Sequence, residues 1–433
     1  MLNAEAWKRE FEGKRILIWG FGREGKSSLK WIHTLLPDLC VTIAEPLARL
    51  SSLMSEDANV RLLAEEDMNP SDFDMILKSP GIVTPPGMDV SRLTQQSHLF
   101  LKHHRDQTVG ITGTKGKSTT ASLTAAVLSK GYRTHLVGNI GIPCFDILPI
   151  LEAGDMVAFE ISCHQLEHCP YSPKIGVYLN LYEEHLDHYA SFQAYADAKA
   201  NVFRHQIEGD TAILHQDLSY VRERPDALLI GRDITVEGNT LRCLDRSVTA
   251  RRPKLIGAHN LLNAATVYAI AGLTGIRDEA FLDALDEFAP LHHRLEKIAV
   301  KNGVTYVNDS ISTIGQASIA ALASLPETDV ILIGGMDRGI GYEELEDALA
   351  SRRDLHVIFM YATGKRIYEE MEAKGQLHER MHRCADLAEA VNLSAALCRK
   401  GHIVLLSPAA SSYDHFRNFE HRGEVFAELV DRL

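Results

Sequence analysis

Residues 112–119 read Thr-Gly-Thr-Lys-Gly-Lys-Ser-Thr and lie between an apolar run, 107–111, and a long stretch of helical character. Gly113 and Gly116 let backbone amides turn inward, and Lys117 can reach β- and γ-phosphates. The Ser118 hydroxyl can ligate Mg²⁺, and the helix N-terminus adds positive potential. Thr114, Lys115 and Thr119 complete the loop. A generic phosphate loop has a glycine five positions before the Gly-Lys-Ser glycine, where this chain has Ile111. The loop is of a shortened type, and nucleoside triphosphate chemistry is the first expectation. The plainer alternative is a strand-to-helix turn that happens to carry Gly-Lys-Ser.

Two more groups have the spacing of nucleotide chemistry. Glu160 ends the apolar run 155–159, and an acid at a strand end beside a phosphate loop is where a nucleotide's Mg²⁺ is held. Gly20, Gly22 and Gly25 form a GxGxxG turn around Arg23, with Glu45 twenty residues past Gly25. Such glycines permit close approach of a pyrophosphate to a helix N-terminus, and the acid can accept hydrogen bonds from a ribose or base. The turn Ser79-Pro80-Gly81 after the run 74–78 offers further amides to phosphate. GxGxxG alone also serves simple helix-on-strand packing. A nicotinamide oxidoreductase has no use for a Gly-Lys-Ser loop, whereas an enzyme joining ATP to a nucleotide-sugar needs two pyrophosphate sites. A nonenzymatic nucleotide-sensing module would bind ATP without acceptor-dependent turnover.

These groups need a framework of parallel strands. Apolar runs alternate with helical stretches at 14–19, 41–45, 74–78, 107–112, 134–138, 155–160, 174–181, 304–308, 329–334, 356–361 and 402–407, which predicts parallel α/β sheets. Residues 210–253 break the pattern with short, turn-rich segments expected to be antiparallel, and 257–274 resumes as helix. At about 150 residues per domain, 433 residues suggest three domains. The boundaries fall near 106 and 290: a Rossmann-like domain over 1–106, a P-loop ATPase-like parallel sheet with a small antiparallel addition over 107–290, and a Rossmann-like domain over 291–433. The net charge of −13, from 58 acidic against 45 basic side chains, argues against nucleic-acid binding, so an anionic substrate needs local cations. No run approaches the ~18 apolar residues of a membrane helix, and the N-terminus has no apolar leader segment. Seven scattered cysteines, never spaced C-x-x-C, predict reduced thiols. A cytoplasmic protein without membrane insertion is expected.

The shortened loop resembles the ATP loop of Mur ligases and folylpolyglutamate synthases. Glu160-Ile-Ser162-Cys-His-Gln165, Asn180 with Glu184-His185-Leu-Asp187-His188, and Asp197-Ala-Lys199 extend the resemblance to the Mur ligase family. So do Asn308-Asp309-Ser310, Gly334-Gly335-Met-Asp-Arg338, and the ending from Ser407-Pro-Ala through Ser412 to Asn418-Phe419-Glu-His-Arg422-Gly423. The resemblance spans nearly the whole chain and is strongest toward the glutamate-adding branch. A folylpolyglutamate synthase would leave the N-terminal GxGxxG domain without a reason.

The resemblance implies a set of roles. Lys117, His185 and Lys199 would be catalytic, with Lys199 carbamylated. Ser118 and Glu160 would hold one Mg²⁺, and His185 with Lys199 a second. Residues 113–119 with Asn260, Asn263, Arg294 and Asp309 would bind ATP. Gly22, Arg23, Glu45, Ser79, Pro80, Gly81, Asn139, Ser162 and Gln165 would meet UDP-N-acetylmuramoyl-L-alanine; Thr313, Arg338, Ser412 and Phe419 would surround the incoming glutamate. The implied reaction is ATP-dependent amide formation through an acyl phosphate, in peptidoglycan precursor synthesis, by a monomer. Among glutamate-adding members D-glutamate is expected, but Ile311 stands where such enzymes commonly carry lysine, which keeps an L-glutamate-adding variant in play.

Several of these residues have other readings. Cys163-His164 with His168-Cys169 could suggest zinc, although neighbouring ligands rarely converge on one ion. Residues 183–188 are similar to the histidine motif of metallo-β-lactamase-like hydrolases, which leaves the ATP loop unexplained. Asn260 and Asn263 could be helix caps, Arg338 a surface ion pair, Ser412 a cap, and Lys199 a solvated helix lysine.

Overall fold

The computed structural model describes residues 2–50, 58–85, 87–184, 188–251, 257–289 and 292–433. Each apolar run expected to be a strand is one, with ends that coincide or shift by up to three residues. Three sheets result. The first has the order Val60–Ala64, Val41–Glu45, Ile16–Trp19, Met75–Lys78, Leu93–Thr94, all parallel. The second runs Arg246–Thr249, Thr240–Cys243, Ile234–Glu237, Leu228–Ile230, Thr211–His215, Ile175–Tyr178, Thr108–Thr112, Met156–Glu160, Thr134–Gly138. The third runs Glu296–Lys301, Val304–Asn308, Ile403–Leu406, Thr328–Ile333, His356–Phe359, Met381–Arg383, with only its first pair antiparallel.

The stretch 210–251 differs from expectation. Thr211–His215 and Leu228–Ile230 are parallel and extend the central sheet. Only Ile234–Glu237, Thr240–Cys243 and Arg246–Thr249 form the antiparallel addition. Four further strands, Val60–Ala64, Leu93–Thr94, Glu296–Lys301 and Met381–Arg383, were not expected. All lie at sheet edges, where one-sided burial removes the continuous apolar run that marks a buried parallel strand.

The chain forms two compact units, residues 1–252 with 261–288, and 253–260 with 289–433. In the first, the two sheets share one core. Trp7, Phe11, Trp31, Phe100, Phe145 and Phe159 are fully buried in it, and the Trp7 ring meets Trp31 and Phe145 edge-on at 5.8 and 5.1 Å. Polar bonds reinforce the join: Ser27 Oγ donates to Asp146 at 2.7 Å, and Ser97 Oγ to the Gln165 carbonyl at 2.7 Å. Among the described residues, no helix is long and apolar enough to cross a membrane.

Because Trp7 fills this shared core and its indole donates to His104 Nε2 at 3.1 Å, Trp7→Ala is expected to destabilise this unit by about 3–5 kcal/mol. Denaturant unfolding followed by circular dichroism measures this. A loss under about 1 kcal/mol would mean that the two sheets do not depend on this ring.

Candidate functional site

In the first unit the functional side chains gather beyond the carboxyl ends of the strands, the usual place for ligands in open α/β sheets. The strand Thr108–Thr112 runs into the loop, and the helix Lys117–Leu128 follows. Gly116 has φ +83, and a Cβ there would lie 2.9 Å from Asn263 Oδ1. The loop is clasped from outside by a residue the sequence reading placed in a motif without a role. Asn180 accepts from Thr114 N through its carbonyl at 3.0 Å and from Lys115 N through Oδ1 at 2.8 Å, and donates Nδ2 to the Lys115 carbonyl at 3.0 Å.

Two lysines converge on this loop. Lys117 Nζ donates to the carbonyls of Gly113 at 3.0 Å and Thr114 at 2.9 Å, and Lys199 Nζ donates to the Gly113 carbonyl at 2.8 Å. Lys199 is therefore no solvated helix lysine: it is 1% exposed and its ammonium lies 4.7 Å from the Tyr195 ring centre. Burial, with the Lys117 charge adding to it, pushes its pKa down to about 7. Burial also lowers Lys117, against the pull of Glu160 and Glu184. Tyr195, not singled out from the sequence, stands 3.0 Å from Thr114 Oγ1. Lys115 turns away to pair with Glu184 at 2.8 Å.

Glu160 is fully buried and pairs in register with Ile111, two residues before Gly113. Its Oε1 accepts the Asn139 amide at 3.1 Å, while Oε2 has no hydrogen-bond partner among the described residues. A buried carboxylate oxygen without a donor is costly, and a divalent cation is the group that would satisfy it. Glu160 thus fits a metal ligand, and Ser118 stands half-buried in the first turn of the helix. His185 lies outside the described residues. Among those described, no three His, Cys, Asp or Glu side chains form a metal-holding group. Cys163 packs with Tyr189 and Tyr195, whereas the Cys169 thiol donates to the Tyr171 carbonyl.

The GxGxxG turn and its partners also come together. Gly22 caps the helix Arg23–Leu35, and an added Cβ at Gly22 or Gly81 would meet nothing within 4 Å, leaving room for a ligand. Gly25 instead packs against the Gly20 carbonyl. Ser79 Oγ donates to the Gly20 carbonyl at 2.9 Å, which ties the 79–81 turn, with Pro80, to the glycine loop. Glu45 is buried and accepts the Phe21 amide. Arg23 donates to the Gly141 carbonyl at 2.7 Å. Ser162 and Gln165 form a capping box at the short helix Cys163–Leu166, and Gln165 Nε2 donates to Glu24 at 2.7 Å. Glu24, absent from the sequence reading, is pushed up to about 7 by burial.

Asn260 and Asn263 are not caps. The helix is Ala258–Leu273, so both lie inside it, and both are buried.

In the second unit, residues again gather at carboxyl ends of neighbouring strands. Asn308 and Leu406 pair in register. Asp309 accepts from Ser312 Oγ at 2.5 Å, Ser407 Oγ at 2.8 Å and Leu295 N at 3.2 Å, yet burial raises its pKa to about 6. Arg294 lies within electrostatic reach of it, flanked by His293 and Leu295 at φ 62 and 45. Arg422, the arginine of the C-terminal motif, is fully buried. Its guanidinium donates to Ser310 Oγ at 3.0 Å and to the carbonyls of Ser310 at 2.7 Å and Ala410 at 3.0 Å. It thereby fixes the turn leading to Ser412, which is buried, and the Ser310 hydroxyl in turn holds the Phe419 carbonyl at 2.8 Å. Asn418, not Ser412, caps the helix Phe419–Asp431. Thr313 and Phe419 are half-buried, and Arg338 is exposed in a loop where the neighbouring Asp337 pairs with Arg366.

Known proteins are similar to this chain over nearly its whole length. Residues 111–229 match the Mur ligase middle domain, and 293–410 match the Mur ligase glutamate ligase domain. The chain is 30% identical over 435 residues to the UDP-N-acetylmuramoylalanine–D-glutamate ligase of Nitratidesulfovibrio vulgaris, covering 97% of each. It is 32% identical over 456 residues to the UDP-N-acetylmuramoyl-L-alanine–L-glutamate ligase of Salinispora tropica, covering 97% of this chain and 98% of that one. The fold is similar to that of the crystal structure of the UDP-N-acetylmuramate-alanine ligase MurC from Thermotoga maritima. The TM-score is 0.57 at 18% identity, over 97% of this chain and 99% of that one.

Two outcomes follow. Gly116→Ala forces a left-handed conformation on a residue with a Cβ and drives that Cβ into Asn263. It should destabilise the protein by about 1–2 kcal/mol and weaken binding of a nonhydrolysable ATP analogue at least about tenfold, as an ångström-scale misplacement does. Calorimetric titration with unchanged affinity would contradict the loop's role. For Asp309 the folded pKa is raised from 3.8 to about 6, so its stabilising share is full below pH about 3.8 and is lost as pH rises through 6. Asp309→Asn should therefore flatten the fall in unfolding free energy between pH 4 and 6, measured by urea denaturation; an unaltered pH profile would contradict the buried acid.

Proposed function

The chain belongs to the Mur ligase family, and on that premise we propose that it is an ATP-dependent ligase joining glutamate to UDP-N-acetylmuramoyl-L-alanine, with D-glutamate as the first reading. The observation that carries this is the clasped phosphate loop, with Lys117 and Lys199 on the Gly113 carbonyl and, one strand away, a Glu160 oxygen that has no hydrogen-bond partner among the described residues. The GxGxxG loop and the 79–81 turn supply the second anion site that a nucleotide-sugar needs. The domain division near 106 and 290, a cytoplasmic location and a monomeric state belong to the same proposal.

A carboxylate is anionic and would have to expel oxide, so an amine does not acylate on it directly. Phosphorylation by ATP makes it an electrophile. The alanyl carboxylate attacks the γ-phosphoryl group, ADP leaves, and an acyl phosphate forms. The neutral amine of glutamate then attacks the acyl carbon, the C–N bond forms, the amine proton is lost, and inorganic phosphate departs. Amides of residues 113–118 and the Lys117 ammonium bind the phosphates and offset the charge that spreads during transfer. Glu160 and Ser118 would hold Mg²⁺, which supplies further neutralisation of that charge. We propose that the Lys199 amine takes up CO₂, forming an N–C bond and releasing a proton, so that a buried cation becomes an anion able to hold a second Mg²⁺ with His185. A pKa near 7 supports this, because only the uncharged amine is nucleophilic. Asp309, Arg294, Asn260 and Asn263 are proposed for ATP, and Thr313, Arg338, Ser412 and Phe419 for glutamate.

L-glutamate is the second reading. It is favoured by Ile311 in place of the common lysine and by the relatives at 32% identity that are named for the L enantiomer.

ADP release should require UDP-N-acetylmuramoyl-L-alanine, glutamate and Mg²⁺ together, and mass analysis of products formed with each enantiomer decides between the readings. ADP formed regardless of the muramoyl substrate would refute the proposal. Lys117→Ala should lower kcat at least about a thousandfold, the scale of losing a principal charge-stabilising donor. Lys199→Ala should lose activity and regain part of it with added short carboxylic acids; an unimpaired variant would end the carbamate proposal.

A further inference from the structure

The net charge of −13 requires that a diphosphate find its own cation. Lys78 is the last residue of the strand Met75–Lys78, paired in register with Trp19, and leads directly into Ser79-Pro80-Gly81. Its side chain is 2% exposed. An ammonium is rarely buried without a close partner, and here the partners are incomplete. Nζ donates to the Ile82 carbonyl at 2.6 Å and forms a long ion pair with Glu167 Oε2 at 3.5 Å, an oxygen with no close hydrogen-bond donor among the described residues. His188 Nε2 approaches the same oxygen at 3.7 Å. The other acid in reach, Glu24, is pushed up to about 7 by burial and so is only a partial counter-charge. A loosely held ion pair contributes little stability over an apolar packing of similar volume. Lys78 braces the Ser79–Ile82 turn, which Ser79 Oγ ties to the Gly20 carbonyl of the glycine loop, and an added Cβ at Gly81, as at Gly22, would meet nothing within 4 Å among the described residues.

We infer that Lys78 is a specificity-determining cation for the diphosphate of a nucleoside diphosphate substrate, acting from beneath the 79–81 turn by its charge and by fixing the turn at Ile82. This rests on the nucleotide-sugar reading proposed above and adds to it a residue with no place in the glycine motif. Lys78 is a positioning group that does not touch the reacting atoms.

The role of charge separates from that of a structural ion pair by sign. Lys78→Met should weaken UDP binding about tenfold, the effect of one unit charge acting through a partly buried path. Glu167→Gln removes the competing anion and should leave UDP binding unchanged or tighter. A structural ion pair would have both variants weaken UDP binding alike, and that result overturns the inference, as does unchanged affinity in Lys78→Met. Isothermal titration with UDP reads both, with thermal melting to establish folding. If Lys78→Met does not fold, Glu167→Gln decides alone: tighter UDP binding supports the inference, and unchanged or weaker binding overturns it. Failure of the parent chain to bind UDP would remove the nucleotide-sugar reading itself, whereas equal affinities in parent and variants would remove only the role of Lys78.

Discussion

The Gly113 carbonyl accepts from both Lys117 and Lys199. Two ammonium groups on one oxygen repel each other, and burial strips the water that would screen them. The arrangement persists because the surroundings over-determine it: Asn180 clasps the loop at three points, Tyr195 covers Lys199 with its ring and reaches the Thr114 hydroxyl, and the sheet fixes Glu160 nearby. The excess positive charge in a strongly acidic chain is the condition for drawing in a triphosphate. Burial, with the Lys117 charge adding to it, lowers the Lys199 pKa toward neutrality, which gives a buried lysine the chemistry of a free amine.

The first sheet serves this centre by being built into the same unit. Trp7, Trp31, Phe145 and Phe159 belong to one core, so the glycine loop and the phosphate loop are held by common packing. Arg23 on the Gly141 carbonyl and Gln165 on Glu24 carry polar bonds across the same join. In the second unit Arg422 has a comparable task, with its guanidinium spent on Ser310 and the carbonyls before Ser412.

Local motifs were legible in the sequence because their physics is local. Gly113 and Gly116 are glycines for conformational reasons, Glu160 ends an apolar run, and the buried parallel strands are continuous apolar segments. What escaped depends on partners distant in sequence. Nothing around Lys78 or Glu24 signals burial, since Glu167 and Gln165 reach them only through the fold. Tyr195 and Asn180 look ordinary until the loop folds against them. The edge strands Val60–Ala64 and Glu296–Lys301 lack an apolar run because they are half-exposed. Residues 210–230 read as antiparallel because they are short and turn-rich, yet Ile213 and Leu228 pair in parallel.

The central claim is that this charge cluster activates a carboxylate by phosphoryl transfer. It is tested most directly by following oxygen. With ¹⁸O in the alanyl carboxylate of UDP-N-acetylmuramoyl-L-alanine, the account predicts one ¹⁸O atom in each inorganic phosphate released during amide formation, read by ³¹P NMR. Phosphate free of ¹⁸O would contradict it.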